Sequence, residues 1–249
     1  FVEMIPNISI LMYHQVGPFS KVSKHRFTYC HYKSFARQML SLRILGFSVI
    51  SFEQALLGLK GQETLKKRSV VLTFDDGYQN FYEYAFPSLK RFGFRAMVYL
   101  VAEYIGKEAK WFEKEGRETP YLLSTDMILS LRKQGISFGS HGLTHVKLAE
   151  VERDVYRQEI EQSKVKLQEL LGENVQHFCY PYGSYSQEVA KTVQNAGYHS
   201  AVTCLRSAAT KDFSLFELPR KAVSYGDSLL GFWWKLLFKN KPKTAPIIF

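Results

Sequence analysis

Short apolar runs of strand length alternate with helix-length amphipathic segments along this chain, and that alternation limits what it can fold into. Residues 8–14, 47–52, 70–74, 94–101, 136–139, 177–180, 199–203 and 220–223 read as strands. Between them, residues 32–45, 53–59, 81–92, 149–171 and 186–195 carry helical spacing, and Ser124-Thr125-Asp126 opens a further helix that Gly135 ends. Pro87 is expected to kink the 81–92 helix. In the 149–171 helix, Val151, Val155, Ile160, Leu167 and Leu171 fall near one face. Strands that alternate with helices imply a parallel sheet. Seven or eight strands in 249 residues, with no linker, repeat or low-complexity segment, fit a single (β/α) barrel. The polar, basic stretch 15–28 reads as a loop, and 103–123, which carries Trp111 and Phe112, as an irregular insert of the kind that serves as a functional lid.

The strand at Val70 runs directly into Asp75-Asp76-Gly77. Two adjacent carboxylates repel one another and are costly to bury unless a cation or a proton lies between them. Taken alone, the stretch is also compatible with a plain Asp-Asp-Gly turn. A second feature follows the strand at Ile136: Ser140-His141-Gly142-Leu143-Thr144-His145. Two histidines four apart are expected on one side of a helical turn, where one metal ion bridges them. All C-terminal strand ends of a parallel barrel share one rim, so a carboxylate and this pair can meet as a facial triad with open positions. Tyr180-Pro181-Tyr182-Gly183 follows another strand end as a tight loop. Such a loop is either a plain turn or a source of inward backbone N–H groups.

Thr73-Phe74-Asp75-Asp76-Gly77, Ser140-His141 to Thr144-His145 and Pro181-Tyr182-Gly183 resemble, in order and separation, the first three motifs of the NodB-like polysaccharide deacetylases, carbohydrate esterase family 4. The resemblance spans residues 8 to about 223. It implies a deformed (β/α) barrel of about seven strands in one domain, residues 1–227, and hydrolysis of an N-acetyl group on a hexosamine of a polysaccharide or lipid-linked glycan. It also implies a divalent metal, most often Zn2+, with Co2+, Ni2+, Mn2+ or Fe2+ as alternatives. Carried over by position, Asp75 resembles the catalytic base, Asp76, His141 and His145 the metal ligands, and the backbone of Tyr182 an oxyanion donor. Two departures stand out. Cys179 occupies the place of an Arg that orients the catalytic Asp, and Arg220, at another strand end, is the candidate substitute. No histidine follows His199, where the family places its general acid. His14, at the end of the first strand, is the replacement, as in deacetylases of poly-β-1,6-N-acetylglucosamine whose histidine precedes the Asp-Asp motif.

The net charge of +10, from 33 basic and 23 acidic residues, favours anionic neighbours, and nucleic acid is not expected among them. An aromatic content of 15% suits a sugar-binding cleft or a membrane-facing surface. Cys30, Cys179 and Cys204 show no metal-binding spacing and read as reduced, buried thiols, which leans toward a reducing compartment. His177 and His199 are expected to be packed, His25 and His31 solvated. No signal peptide is visible, which favours the bacterial cytoplasm or the cytoplasmic membrane face, while a processed start is compatible with export. No run reaches the roughly 18 apolar residues of a membrane span. The segment 228–249 combines Phe232, Trp233, Trp234 and Phe238 with Lys239, Lys241 and Lys243. It reads either as a final packed helix or as an interfacial helix on an anionic membrane. Two other functions fit the residues: hydrolysis of another carbon–nitrogen bond, as in a cyclic amide or ureide, and a non-catalytic carbohydrate-binding barrel.

Overall fold

Strands buried on both faces need continuous apolar runs, and those of this chain form a parallel sheet. In the computed structural model, which describes residues 7–115 and 118–242, the strands are β1 (Ser9–Tyr13), β2 (Gln15–Gly17), β3 (Tyr29–His31), β4 (Ser48–Val49), β5 (Ser69–Phe74), β6 (Met97–Leu100), β7 (Ser137–Ser140), β8 (His177–Cys179), β9 (Ser200–Val202) and β10 (Lys221–Ala222). The helices are α1 (Tyr32–Ile44), α2 (Phe52–Leu59), α3 (Phe86–Phe92), α4 (Thr125–Lys133), α5 (Arg153–Leu171), α6 (Gln187–Asn195) and α7 (Leu229–Phe238). The main sheet is curled and parallel, in the order β10-β1-β5-β6-β7-β8-β9, with β4 beside the start of β5. One segment touches both ends of the curl. Leu218 pairs with Val202 of β9, while Lys221 and Ala222 pair with Leu11 and Met12 of β1. The result is the deformed single-domain barrel expected from the motifs.

Alternate residues of each strand serve two cores, as the period of two requires. Ile10, Val71, Met97, Tyr99, Cys179 and Val202 face inward with Phe52, Ala55, Leu56 and Leu59 of α2. Leu11, Val70, Leu72, Val98, Leu100 and Phe178 face outward, under the remaining helices. Local chemistry sets the helix ends. Ser51 caps α2 in a reciprocal pair with Gln54, and serines 124, 186 and 228 cap α4, α6 and α7.

Several expectations change. The 15–28 loop is bounded by a small parallel pair, β2 with β3, because Gln15, Val16 and Gly17 bond to Tyr29, Cys30 and His31. The 47–52 strand shrinks to Ser48–Val49, since the Ser51 cap draws Phe52 into α2. Residues 79–92 run as one unbroken helical stretch, and its departure from α geometry is a π-turn, Phe81–Ala85, that leads directly into α3 and Pro87. The 149–171 helix begins at Arg153 after a 3-10 turn, and Val155 is exposed; the buried face runs through Tyr156, Glu159, Ile160, Ser163, Leu167 and Leu171. His199 is exposed, unlike His177, which is buried against Ser200 and Glu53. Cys204 is exposed too, whereas Cys30 and Cys179 are buried, and all three thiols are free.

The C-terminal helix α7 packs Phe232 and Leu236 into the main core and leaves Leu230, Trp234, Leu237 and Phe238 exposed. Lys243 and the rest of the 243–249 tail lie outside the described residues. Among those described, no helix is long and apolar enough to cross a membrane.

Candidate active site

The rim at the strand ends is built from the same alternation. Val71, Thr73 and Asp75 share one face of β5 and its extension, and Ile10, Met12 and His14 one face of β1. The β1–β5 register pairs Tyr13 with Phe74, so His14 emerges beside Asp75. The Asp75 N–H donates to Tyr13 O at 2.9 Å, and His14 Nε2 stands 3.8 Å from Asp75 Oδ2. Burial lowers the His14 imidazole pKa, and the two neighbouring carboxylates offset this only in part.

Asp75 is held by Arg220. Nη1 donates to Oδ1 at 2.6 Å and Nη2 to Oδ2 at 2.7 Å, a bidentate fork inside a fully buried pair. The guanidinium also donates through Nε to Thr203 O and through Nη1 to Thr73 Oγ1. Burial pushes the Asp75 carboxyl up, but the Arg220 charge and hydrogen bonds pull harder, and the group stays below its usual range. Arg220 Nη2 lies 3.2 Å from Cys179 Sγ, so the long side chain from the closing segment fills the space beside the thiol.

Asp76, His141 and His145 converge next to this pair. Both Nε2 atoms stand 3.1 Å from Asp76 Oδ1, and all three residues are buried. Burial pushes the Asp76 carboxyl up, yet the two imidazoles bring it well below the usual carboxylate range. His141 Nδ1 is 2.8 Å from the Cys179 carbonyl, which can only accept, so Nδ1 carries a proton and Nε2 is the ring atom left to face a cation. Among the described residues, no donor is aligned on Asp76 Oδ1 despite its burial. Three buried ligand atoms within 4.8 Å of one another, one of them orphaned, are what a divalent cation with open coordination positions requires. The residues present therefore fit a metal.

The histidine pair is not helical, contrary to the spacing argument. Residues 141–147 form a loop in which Gly142 has φ 80° and His145 φ 64°. Glu159 of α5, buried and absent from the sequence reading, shapes that loop: its carboxylate accepts from the N–H groups of Leu143 and Thr144 and from the Thr144 hydroxyl. A mid-helix Glu gives no local hint of this, because its partners lie in a distant loop.

A cavity of about 440 Å³ opens over these groups, lined by His14, Asp75, Asp76, His141, His145 and Tyr182 among others. The non-glycine residues with positive φ among those described are His25, Asp76, His145 and Tyr182, and all four line it. Such strain persists where surrounding structure over-determines it, commonly at functional sites. Gly77, at φ 73°, lets the chain turn away directly after the carboxylates; a Cβ there would meet Leu100 Cδ2 at 2.7 Å. Tyr182 adopts φ 58° in the Pro181–Gly183 turn and places its ring 4.5 Å from that of His145. Trp111, from the 103–123 insert, also reaches the His145 ring, a contact that sequence reasoning did not assign.

The family model described as polysaccharide deacetylase matches residues 62–201, more than half of the chain. The chain belongs to the polysaccharide deacetylase family. The match includes Asp75, Asp76, both ligand-loop histidines and Tyr182, and leaves His14 and Arg220 outside it. The chain is similar to YxkH of Bacillus subtilis, 27% identical over 226 residues, 91% of this chain and 75% of that protein. It is also similar to the poly-beta-1,6-N-acetyl-D-glucosamine N-deacetylase of Staphylococcus epidermidis, 28% identical over 169 residues, 64% of this chain and 55% of that one. The chain thus matches little more than half the length of that relative. Among solved structures, the deacetylase PplD of Streptococcus pyogenes shares the fold, with a TM-score of 0.79 at 24% identity over 92% of this chain and 97% of that chain.

Proposed function

We propose that this family member is a metal-dependent hydrolase that removes the N-acetyl group from an N-acetylhexosamine within a polysaccharide or lipid-linked glycan. The carrying observation is the juxtaposition of an Arg-held carboxylate, Asp75, with the buried Asp76, His141 and His145 group under one cavity. The similarity to a poly-N-acetylglucosamine deacetylase supports the substrate class.

Asp76, His141 and His145 would hold the metal, with Zn2+ favoured by the two imidazoles and one carboxylate. When bound, it would supply Lewis acidity toward the acetamide oxygen and lower the pKa of a water. Asp75 is ionised and oriented by Arg220, so it is poised to take a proton from the water that attacks the acetyl carbon. The Gly183 and Ser184 N–H groups are bonded within the turn, to Tyr180 O and Pro181 O, so the backbone N–H of Tyr182 would be the oxyanion donor. An amide nitrogen leaves poorly without a proton, and His14, 3.8 Å from Asp75, would provide it in its protonated form. The carbon–nitrogen bond breaks to give acetate and a free amine. Acetate release from N-acetylglucosamine oligomers and lipid-linked N-acetylhexosamines, with and without chelator, tests this. Chelator-sensitive release is expected; release that survives complete metal removal, or hydrolysis of cyclic ureides alone, would overturn it.

A further inference from the structure

We propose that the segment from Ala102 to Leu123 is a strap joining the two ligand-bearing loops, and that Trp111 on it is a positioning residue for His145; this rests on the metal reading above. The strap is bonded to both loops. Its N-terminal end donates from Ala102 to Gly142 O at 3.1 Å and from Glu103 to Leu143 O at 2.9 Å, between the two histidines. At its other end Leu123 donates to Gly77 O at 2.8 Å, and Gln79 donates to Tyr121 O at 2.9 Å, directly after Asp75 and Asp76. Its two limbs are tied to one another by Gly106 to Leu123 O, Leu122 to Lys107 O and Ala109 to Pro120 O, each 2.9 Å. Phe112, buried with Tyr78, Val101, Ala109 and Leu122, gives it a small core of its own. Anchored in this way, the segment is a wall of the site that braces both loops.

Trp111 lies on a 3-10 helix, Lys110–Glu115, between these anchors. Its ring centroid is 4.3 Å from that of His145 at an interplanar angle of 32°, and Tyr104 braces it edge-on at 5.4 Å. The two ligand histidines differ in what orients them. A metal-binding imidazole commonly uses its second nitrogen to fix its plane through a hydrogen bond. His141 does so, with Nδ1 on the Cys179 carbonyl. His145 Nδ1 is buried and has no hydrogen-bond partner among the described residues. The ring contacts with Trp111 and Tyr182 take over that function, so the plane of His145 is set by packing. Aromatic rings in contact favour particular relative orientations. The inserted strap thereby completes a metal site whose ligands all lie elsewhere in the chain.

The test is titration of the metal-free protein with Zn2+ and with Co2+, whose visible absorption reports ligand geometry, for the wild type, Trp111→Ala and Trp111→Phe. Melting of each metal-free variant controls for folding. We expect W111A to bind Zn2+ about 10–100-fold more weakly, the range seen when a ligand's supporting group is lost. Its Co2+ spectrum should shift as well, and W111F should recover most of both. If W111A fails to fold, W111L keeps the apolar bulk without a ring face and carries the same expectations. Wild-type affinity together with an unchanged Co2+ spectrum in the folded Ala or Leu variant would overturn the proposal. A wild type that binds neither metal would instead sink the metal reading itself.

Discussion

Arg220 is the residue whose loss should be felt most widely. Its guanidinium is fully buried and donates to both Asp75 oxygens, Thr73 Oγ1, Thr203 O and Cys179 Sγ. Arg220→Met removes the cation and leaves the Asp75 carboxylate buried without its partner. Deleting one member of a buried pair costs about 3–5 kcal/mol, whereas removing both members together is often close to neutral. Arg220→Met should therefore lose stability in that range by chemical denaturation, and the double variant Arg220→Met with Asp75→Asn should regain part of it. Acetate release should fall in the single variant by up to about the 10²–10⁴-fold that a positioned base contributes. Arg220→Lys keeps the charge but loses the fork, and should fall between wild type and Arg220→Met on both scales. Because Cys179 Sγ already touches the guanidinium, Cys179→Arg in an Arg220→Ala background should restore some of the lost turnover. Wild-type stability and turnover in Arg220→Met, or a double variant no more stable than the single one, would refute the reasoning.

Asp75→Asn should keep the full metal content of wild type, by elemental analysis, while acetate release collapses; retained turnover would remove Asp75 from the role of base. His14→Gln should slow hydrolysis of the acetamide strongly and that of an aryl acetate little, because a phenolate leaves without a proton; equal slowing of both would argue against a proton donor. Lys221 is buried, donating to Leu236 O and Asn240 Oδ1, and burial lowers its pKa from 10.5 to about 8. The folded pKa lies below the unfolded one, so between about pH 8 and 10.5 the unfolded chain binds more protons and stability rises with pH. Denaturation curves of wild type should accordingly gain on those of Lys221→Met across that window, and parallel curves would contradict it. The exposed Leu230, Trp234, Leu237 and Phe238 of α7, followed by Lys239 and Lys241, have the make-up of an interfacial helix. Co-sedimentation with vesicles containing anionic lipid should drop on Leu230→Ser with Trp234→Ser, and undiminished binding would assign membrane contact to another surface.

The parts of this site readable from the chain are those governed by local rules. A run of apolar residues that ends in Asp75-Asp76-Gly77 announces a buried strand and the acids at its tip, because burial, alternation and the glycine turn act within a few residues. The His141 and His145 pair was legible for the same reason, although its assumed helical geometry was wrong. Glu159 and the left-handed backbone at His145 shape a loop there, and neither can be read from a four-residue spacing. Val155 shows the same limit on α5, where the packing of neighbouring elements determines which side of the helix is covered.

Sequence alone determined the alternation of strand and helix, the barrel class, and the residues of the rim that carry charge or lone pairs, since each depends on side-chain chemistry and short-range period. Tertiary structure decided which of those residues meet. Arg220 reaches Asp75 across 145 positions because one segment pairs with both ends of the curled sheet, and Trp111 reaches His145 because the strap is bonded to two loops at once. Contacts of that kind come from closure of the chain on itself, and no local pattern of residues encodes the partner.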